Sequence, residues 1–464
     1  MPVGQQVLRN KHERPAPAQA CSIVKPIDWP YNFVVLFSSS ESRESSEPYN
    51  HGIHMYRTAP EENQILNGVR SGTPMGEFLR RYWWPVGFTE KLKDRPTFVR
   101  VLGEDLVLFR DQRGKLGLIG ALCPHRRANL CLGSTTASGV RCKYHGWVVG
   151  ADGAVLEVPG EPRDGGFRES VAKNAAYKTE ELGPLIFAYM GPQPAPLLPR
   201  YDFLVGEGVH YVTIQGFQNC HWLQCVENGI DPVHPSFTHG GAWPDIANTE
   251  PELGFHETER GLVYKAYRKT KDKGVLNYRE HHLTMPGVSC GGSGGRYLDG
   301  QSAGTPVSAA RWSVPIDETH TILFRVRFKP EDNPAAYKGD PFTERWRPVG
   351  QFIEPFKEYR STNDPVLGYD VPPLHFIEDG MVVDSIGPVA DRENENLSPI
   401  VDAGIIMLRK MYLREIARMQ AGEDPKNVVR DPEANKVIKV TAYERWVTEE
   451  EREAEKKTRR QAAG

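Results

Sequence analysis

The chain has 464 residues, enough for two or three domains with separate hydrophobic cores. Its 57 basic and 60 acidic residues nearly balance, which argues against a nucleic-acid or acidic-membrane partner. Seven cysteines over this length fit a reducing cytoplasm better than a disulfide-stapled secreted protein, and the sequence contains no apolar run of about eighteen residues that would predict a membrane span.

The first 54 residues differ in composition from the rest, with Pro-Ala repeats over 15–20 and a Ser/Glu-rich run over 38–46. Such a segment has little apolar surface to bury, so we expect a disordered extension over 1–54. Further on, the sequence Gly-Thr-Pro-Met predicts the start of a helix, with Thr73 as N-cap and Pro74 in the first turn. This helix would lead into a first domain over 55–198.

Short β-rich runs separated by Gly and Asp turns follow this helix. They predict a small antiparallel β domain with strands over 98–101, 106–110, 116–119, 155–158 and 185–189. A Pro-rich connector over 194–199 then predicts a domain boundary near residue 200.

Two Cys-His pairs lie on neighbouring loops of this β domain. The first is Cys123 with His125, and the second is Cys142 with His145. Zinc would bind Cys2His2 ligands at one ion, usually as C-x2-4-C with H-x3-5-H. Here each loop supplies one Cys and one His, which suits a Rieske [2Fe–2S] cluster with thiolates on one iron and imidazoles on the other. The pattern favours the cluster, with zinc or a chance arrangement as the alternatives.

With C-P-H-R at 123–126 and C-x-Y-H-G-W at 142–147, the sequence resembles the Rieske non-haem iron aromatic oxygenases. Respiratory Rieske proteins carry an extra Cys in each loop and a membrane anchor, whereas this chain has Ala128 and Tyr144 near those places. The resemblance is to terminal oxygenase alpha subunits of the phthalate dioxygenase and aryl-ether O-demethylase group. It implies an α+β fold, in which an all-β Rieske domain precedes a helix-grip catalytic domain over 199–445, with helices covering a curved antiparallel sheet.

A second group of polar residues follows the connector. His234 and His239 lie five positions apart on a bent or frayed helix, where they could bind one ion, although the pair in isolation favours a structural or surface role. The stretch Asn228-x-x-Asp231-x-x-His234-x4-His239 resembles the N-x-x-D-x-x-H-x4-H stretch of these oxygenases. The resemblance implies that His234 and His239 bind a mononuclear Fe(II), with Asn228 and Asp231 as catalytic residues beside it.

A 2-His-1-carboxylate iron site also requires an acidic ligand. Glu378, Asp379 and Asp384 are the candidates in one stretch of the catalytic domain. In the family the ligand precedes a short apolar run and a second acidic residue, which implies Asp379, with Asp384 next. The alternative for each residue is a solvated helix-end charge or an N-cap.

The rest of the catalytic domain predicts strands and one long helix. Runs over 212–215, 262–267 and 309–329 indicate the curved sheet, and the Gly-rich 287–295 indicates a loop over the pocket or a plain solvent loop, not a fixed strand. Asp402 would cap a helix over 403–421 that packs against the sheet. The charged segment 446–464 predicts a frayed tail.

The resemblance implies a terminal oxygenase for aromatic catabolism. It would use dioxygen to hydroxylate an aromatic ring or to O-demethylate an aromatic ether. We expect an acidic substrate, which would favour basic pocket residues such as Arg311, Arg325 and Arg327. The chain lacks G-x-G-x-x-G, so electrons would come from a separate NAD(P)H-dependent reductase. A Rieske electron-transfer protein without catalytic iron, or a zinc-stabilised binding module, is the alternative.

The family also forms homotrimers, in which an Asp at the position of Asp231 links a cluster His of one subunit to an iron His of its neighbour. Here Asp231 would join His145 to His234 across that interface. The alternative role for Asp231 is to end a helix before Pro232.

Overall fold

The computed structural model describes residues 55–291, 308–330 and 375–454, apart from Arg163, Ala242 and Thr441, together with Lys457. The predicted extension over 1–54 lies outside these residues, as does part of the predicted tail over 446–464. Within the described ranges, every helix is too short or too polar to cross a bilayer.

Two short helices precede the first sheet, α1 (Pro60–Asn67) and α2 (Pro74–Leu79). The predicted start of α2 is confirmed, because the Thr73 hydroxyl accepts a hydrogen bond from the Gly76 N–H at 3.1 Å and Pro74 is the first helical residue. The helix α2 ends at Leu79, and a short turn leads from it to the first strand at Trp83.

The first domain contains two antiparallel sheets. The larger has six strands in the order β1-β10-β9-β4-β3-β2 and the smaller four in the order β5-β6-β7-β8. The six-stranded sheet comprises β1 (Trp83–Phe88), β2 (Thr97–Val101), β3 (Glu104–Arg110), β4 (Leu116–Gly120), β9 (Ala176–Leu182) and β10 (Leu185–Tyr189). The four-stranded sheet comprises β5 (Ser134–Thr135), β6 (Gly139–Arg141), β7 (Val148–Gly150) and β8 (Val155–Glu157), and α3 (Phe167–Ser170) follows it. The five strands predicted here are confirmed, with ends shifted by one or two residues.

The second domain is built on one large antiparallel sheet, as predicted. Its main path runs β11-β17-β16-β15-β14-β13-β12, and β18 pairs with the first half of β14. After the short α4 (Asp202–Val205), its strands are β11 (Gly208–Gln218), β12 (Pro251–Glu257), β13 (Gly261–Lys269), β14 (Val275–Thr284), β15 (Val288–Gly291), β16 (Ser308–Pro315), β17 (Thr321–Pro330) and β18 (Tyr443–Thr448).

The described part of this domain also contains the helices α5 (Trp222–Ile230), α6 (His234–Thr238), α7 (His375–Ser385) and α8 (Ala403–Gln420). The helix α5 packs on β13 to β16, α7 packs on β11 and α5, and α6 packs on α7. The three helices therefore meet over one face of the sheet.

Three predictions for this domain were wrong in detail. Residues 288–291 form β15, because their side chains at Val288, Ser289 and Cys290 are buried between β14 and β16. Asp402 stands before α8, but its carboxylate accepts a hydrogen bond from the Ser398 N–H and does not cap the helix. The predicted tail starts inside β18, where pairing with β14 extends the sheet to residue 448.

A continuous apolar core joins the two domains across the predicted boundary at residue 198. The ring centroids of Phe88 and Phe324 lie 5.4 Å apart, and those of Phe187 and Trp312 lie 5.9 Å apart. Backbone hydrogen bonds from Leu102 to the Pro315 carbonyl and from Gly103 to the Ile316 carbonyl add polar links. The first domain is therefore held firmly on the second.

Candidate functional site

The two Cys-His loops have the same backbone arrangement. One connects β4 to β5 and the other connects β6 to β7. In each loop the Cys N–H donates to the carbonyl five residues later, from Cys123 to Ala128 and from Cys142 to Trp147. The fourth residue after each Cys, Arg127 or Gly146, has a positive φ and donates its N–H back to the Cys carbonyl. Glycine adopts this left-handed conformation without strain, whereas Arg127 requires the surrounding loop to hold it.

Burial separates the four candidate cluster ligands into two pairs. Cys123 and Cys142 are 1% and 3% exposed, whereas His125 and His145 are on the surface. The two imidazole centroids lie 4.6 Å apart, and His125 stacks on the buried Trp147 ring at 4.6 Å with an interplanar angle of 4°. Thiolates inside and imidazoles outside suit a two-iron centre whose outer iron is bound by the histidines.

The second predicted site brings together residues from α6 and α7. Nitrogen and oxygen atoms of His234, His239 and Asp379 all lie within 4.8 Å of one another, close enough to bind one ion. Asp379 Oδ1 lies 3.3 Å from His234 Nε2 and 3.0 Å from His239 Nε2. His239 is 1% exposed and the Asp379 side chain is 14% exposed, so the three donors face a mostly enclosed volume.

The neighbouring residues fix the orientation of these donors. Asn228 on α5 donates from Nδ2 to Asp379 Oδ1 at 3.2 Å, so this residue lies beside the donors. Glu378 Oε2 lies 2.8 Å from His239 Nδ1, on the opposite side of the imidazole from Asp379. Asp384 accepts a hydrogen bond from the Asn219 backbone N–H and lies outside the three-donor group.

Electrostatics at this site favours a cation. Burial raises the pKa of Asp379, but the His234 and His239 imidazoles outweigh burial and hold that pKa well below its usual value. Burial lowers the pKa of His234, and the Asp231 and Asp379 carboxylates overcome this and raise it to about 9. A proton on His234 and a metal ion bound at this site would each offset the negative charge of the same carboxylates, so the proton takes the place that a metal ion could occupy.

Asp231 lies between α5 and α6, at the edge of this group. Its Oδ1 accepts hydrogen bonds from the Val233 N–H at 2.7 Å and the His234 N–H at 3.4 Å. Its Oδ2 lies 3.6 Å from His234 Nδ1, and the side chain is 28% exposed. One carboxylate thus accepts N–H groups at the start of α6 and also faces the back of an imidazole in the three-donor group.

A cavity of about 630 Å³ adjoins the three donors, and residues of the sheet line its other walls. Of the three predicted basic residues, Arg311 and Arg325 line it, whereas Arg327 does not. The sequence reasoning missed Arg279, His281 and Ser289, which also line it. Arg279 and His281 occupy alternate positions of β14, which places both side chains on one face of the sheet, and this spacing was the available signal.

Comparison with known proteins gives a match for each domain. Residues 82–176 match the Rieske [2Fe-2S] domain. The oxygenase subunit of 5,5'-dehydrodivanillate O-demethylase from Sphingobium sp. (strain NBRC 103272 / SYK-6) is 33% identical over 83% of this chain and 87% of its own length. Phenoxybenzoate dioxygenase subunit alpha from Ectopseudomonas oleovorans is 33% identical over 84% of this chain and 92% of its own.

Solved structures share the fold at lower identity. Dicamba monooxygenase bound to dicamba aligns with a TM-score of 0.52 at 16% identity, covering 75% of this chain and 100% of that one. The oxygenase of carbazole 1,9a-dioxygenase, solved in complex with its ferredoxin and with fluorene bound, aligns with a TM-score of 0.51 at 19% identity, covering 76% and 96%. At these identities the likeness concerns the fold alone.

Proposed function

The chain belongs to the Rieske non-haem iron aromatic oxygenases as an oxygenase alpha subunit, and from this premise we propose its reaction. It acts as the terminal component of a multicomponent system for aromatic catabolism. With dioxygen and externally supplied electrons, it hydroxylates an aromatic ring or oxidatively O-demethylates an aromatic ether. Relatives named as an O-demethylase and as a dioxygenase support both reactions equally.

The observation that carries this proposal is the convergence of His234, His239 and Asp379 within 4.8 Å. Two imidazoles and one carboxylate form the donor set of a non-haem Fe(II) with open coordination positions, so these residues fit the metal and would hold it. When bound, the Fe(II) activates dioxygen and the [2Fe–2S] cluster supplies single electrons to it. The buried Cys123 and Cys142 and the exposed His125 and His145 would hold the cluster.

Residues of this chain orient the site before substrate enters. Asn228 holds Asp379 Oδ1 through its amide, and Glu378 fixes the His239 ring by binding Nδ1 while Nε2 faces Asp379. A carboxylate behind a metal-binding imidazole sets its tautomer and raises its basicity. His239 is 1% exposed and the Asp379 side chain 14% exposed, so these two donors are largely shielded from water.

We place Asp231 on the path between the two metal centres, in a homotrimer. Its Oδ2 faces His234, and the exposed part of its side chain would receive His145 of a neighbouring subunit. The carboxylate would orient both imidazoles and couple electron arrival to the iron site. Electrons reach the cluster from a separate NAD(P)H-dependent reductase, and a relative solved with its ferredoxin supports such a separate partner.

Metal analysis with oxygen uptake tests this function. The oxygenase should contain about three irons per chain, two in the cluster and one in the mononuclear site. With a surrogate reductase, aromatic acids and methoxy-aromatics should then be screened for substrate-dependent oxygen uptake. About two irons and no uptake would instead favour an electron carrier, and zinc without visible absorbance would refute both.

A further inference from the structure

The cavity beside the iron site has a basic floor. Arg279 on β14, Arg311 on β16 and Arg325 on β17 all line it, and Asp379 is the one carboxylate among the described lining residues. Arg311 and Arg325 are directly paired across their strands, so their side chains leave the same face of the sheet. The floor therefore carries positive charge that the three-donor group does not balance.

Arg311 differs from its neighbour Arg279 in how its charge is offset. Arg279 is paired across the sheet with Glu444, and its guanidinium lies 5.1 Å from the Trp243 ring centroid. Arg311 donates from Nη2 to the Cys225 carbonyl at 3.2 Å, and it forms no ion pair with any described carboxylate. Like that of Arg279, its Nε is buried and lacks a hydrogen-bond partner within the same residues. A buried guanidinium donor without a partner costs stability unless a ligand satisfies it.

Two neutral groups lie next to Arg311. Ser289, its cross-strand partner, has its hydroxyl 2.7 Å from His281 Nε2, and the opposite ring nitrogen of His281 is buried without a partner among the described residues. The His281 ring stacks on Tyr264 at 5.2 Å and 5°. Burial, together with the charges of Arg279 and Arg311, holds the pKa of His281 well below its usual value, so its ring is neutral.

Gly229 makes this arrangement possible. A Cβ at position 229 would lie 2.9 Å from the Ser289 hydroxyl oxygen and 3.5 Å from Arg311 Nη2. The absence of a side chain therefore lets both groups approach α5, one residue from Asn228, whose amide binds Asp379. Ser289 and Arg311 therefore line the same cavity as the candidate iron ligands.

We infer that Arg311, with Ser289 and His281, binds the carboxylate of an aromatic acid substrate. The inference rests on the proposed function, because it concerns the same cavity. Nε and Nη2 lie on one edge of the planar guanidinium, the edge with which arginine binds a carboxylate through two parallel hydrogen bonds. Ser289 and the neutral His281 are joined by one hydrogen bond, so together they add one uncharged donor. That donor is the Ser289 O–H if His281 Nε2–H donates to the hydroxyl, or the His281 Nδ1–H if the hydroxyl donates to Nε2. Anchored on the floor, the acid would present its ring toward the walls formed by Trp243 and the candidate iron ligands.

Calorimetric titration of the purified full chain with 4-methoxybenzoate, and with the neutral 4-methoxybenzamide, tests this inference. The wild type should bind the acid more tightly. Arg311→Gln should weaken acid binding on the order of 100-fold, as loss of one partner of a buried hydrogen-bonded charge pair does, while amide binding stays nearly unchanged. Arg311→Lys keeps the charge but not the paired donors, so its affinity for the acid should lie between those of the wild type and of Arg311→Gln. The control Arg414→Gln removes an exposed guanidinium and should leave both affinities unchanged.

Equal wild-type affinity for acid and amide, or acid binding that is insensitive to Arg311→Gln, would overturn the inference. If Arg311→Gln does not fold, Ser289→Ala provides the second test, with a smaller loss expected for the acid only. Iron content measured on the same samples separates the two proposals. About three irons with oxygen uptake on neutral aromatics, but no acid binding, would reject this inference and leave the proposed function standing. About two irons would reject the proposed function, while the titration still decides whether the acid binds.

Discussion

Cys123 and Cys142 lie in two loops with one repeated backbone conformation, whereas His234, His239 and Asp379 come from two helices far apart in the sequence. In the loops, local backbone hydrogen bonds fix each ligand. In the proposed iron site, Asn228 and Asp379 are joined by a hydrogen bond across 151 positions. The difference teaches that the cluster depends on local geometry, while the iron site depends on how α5, α6 and α7 pack.

The two sites also differ in what surrounds their histidines. The exposed His125 stacks on a Trp ring and contacts a second imidazole. At the iron site, carboxylates face both ring nitrogens of His239, one from Glu378 and one from Asp379. Carboxylates behind the imidazoles at the proposed iron site would set their tautomers and raise their basicity, whereas Arg126 is the charged group that acts on His145 in the cluster loops.

The largest expected effect comes from removing a cluster ligand. Cys142→Ser should remove the cluster, about two irons per chain, and all reductase-driven turnover. Because the iron-site donors lie on α6 and α7, about one iron should remain. Iron analysis and the visible spectrum measure the two losses separately. Simultaneous loss of all iron in a folded variant would show that the sites are not independent.

The converse change is Asp379→Ala. It should remove about one iron per chain and abolish product formation, because two imidazoles alone lack the charge to retain Fe(II). The cluster absorbance should stay at the wild-type level. Asp384→Ala is the matched control, since Asp384 binds the Asn219 backbone and should leave the iron content unchanged. Loss of one iron in Asp384→Ala, with the iron content of Asp379→Ala unchanged, would assign the third ligand to Asp384.

Asp231→Asn tests the link between the two sites. Asparagine has nearly the same shape but no charge, so both metals and the fold should remain. Coupled product formation should be lost, while dithionite still reduces the cluster. Iron analysis, the visible spectrum and product yield per dioxygen measure these quantities on one sample. Normal yield would limit Asp231 to a structural role, in which it caps α5 and holds the turn into α6 through its bond to the Val233 N–H.

The same contrast explains what the sequence could predict. The cluster loops and the stretch from Asn228 to His239 each lie within one local segment. Residue spacing indicated the cluster ligands, and the resemblance to the family's motif implied His234 and His239. The acidic residue was harder, because adjacent Glu378 and Asp379 point about 100° apart on a helix and only packing decides which faces α6. Both contact His239, from opposite sides of its ring.

Nonlocal pairing accounts for the failures. The segment 288–291 was predicted as a loop because of its glycines, yet β14 and β16 bury it as a strand. Arg279 and His281 were missed because an isolated strand does not reveal which face covers the cavity. Their roles follow from the register of β14 to β17, which local sequence does not encode.

The smallest expected effect concerns Glu378, which supports His239 without joining the three-donor group. Glu378→Gln keeps the side-chain length but removes the charge facing Nδ1, so the affinity for iron should fall about 10- to 100-fold with the donors intact. Chelator competition measures this affinity independently of turnover. Glu423→Gln, at an exposed position just beyond the C-terminal end of α8, is the control and should have no effect. Unchanged iron affinity in Glu378→Gln would mean that burial alone holds the His239 ring, which is 1% exposed. The proposed iron site would then resemble the cluster loops, where no carboxylate is needed to orient the ligands.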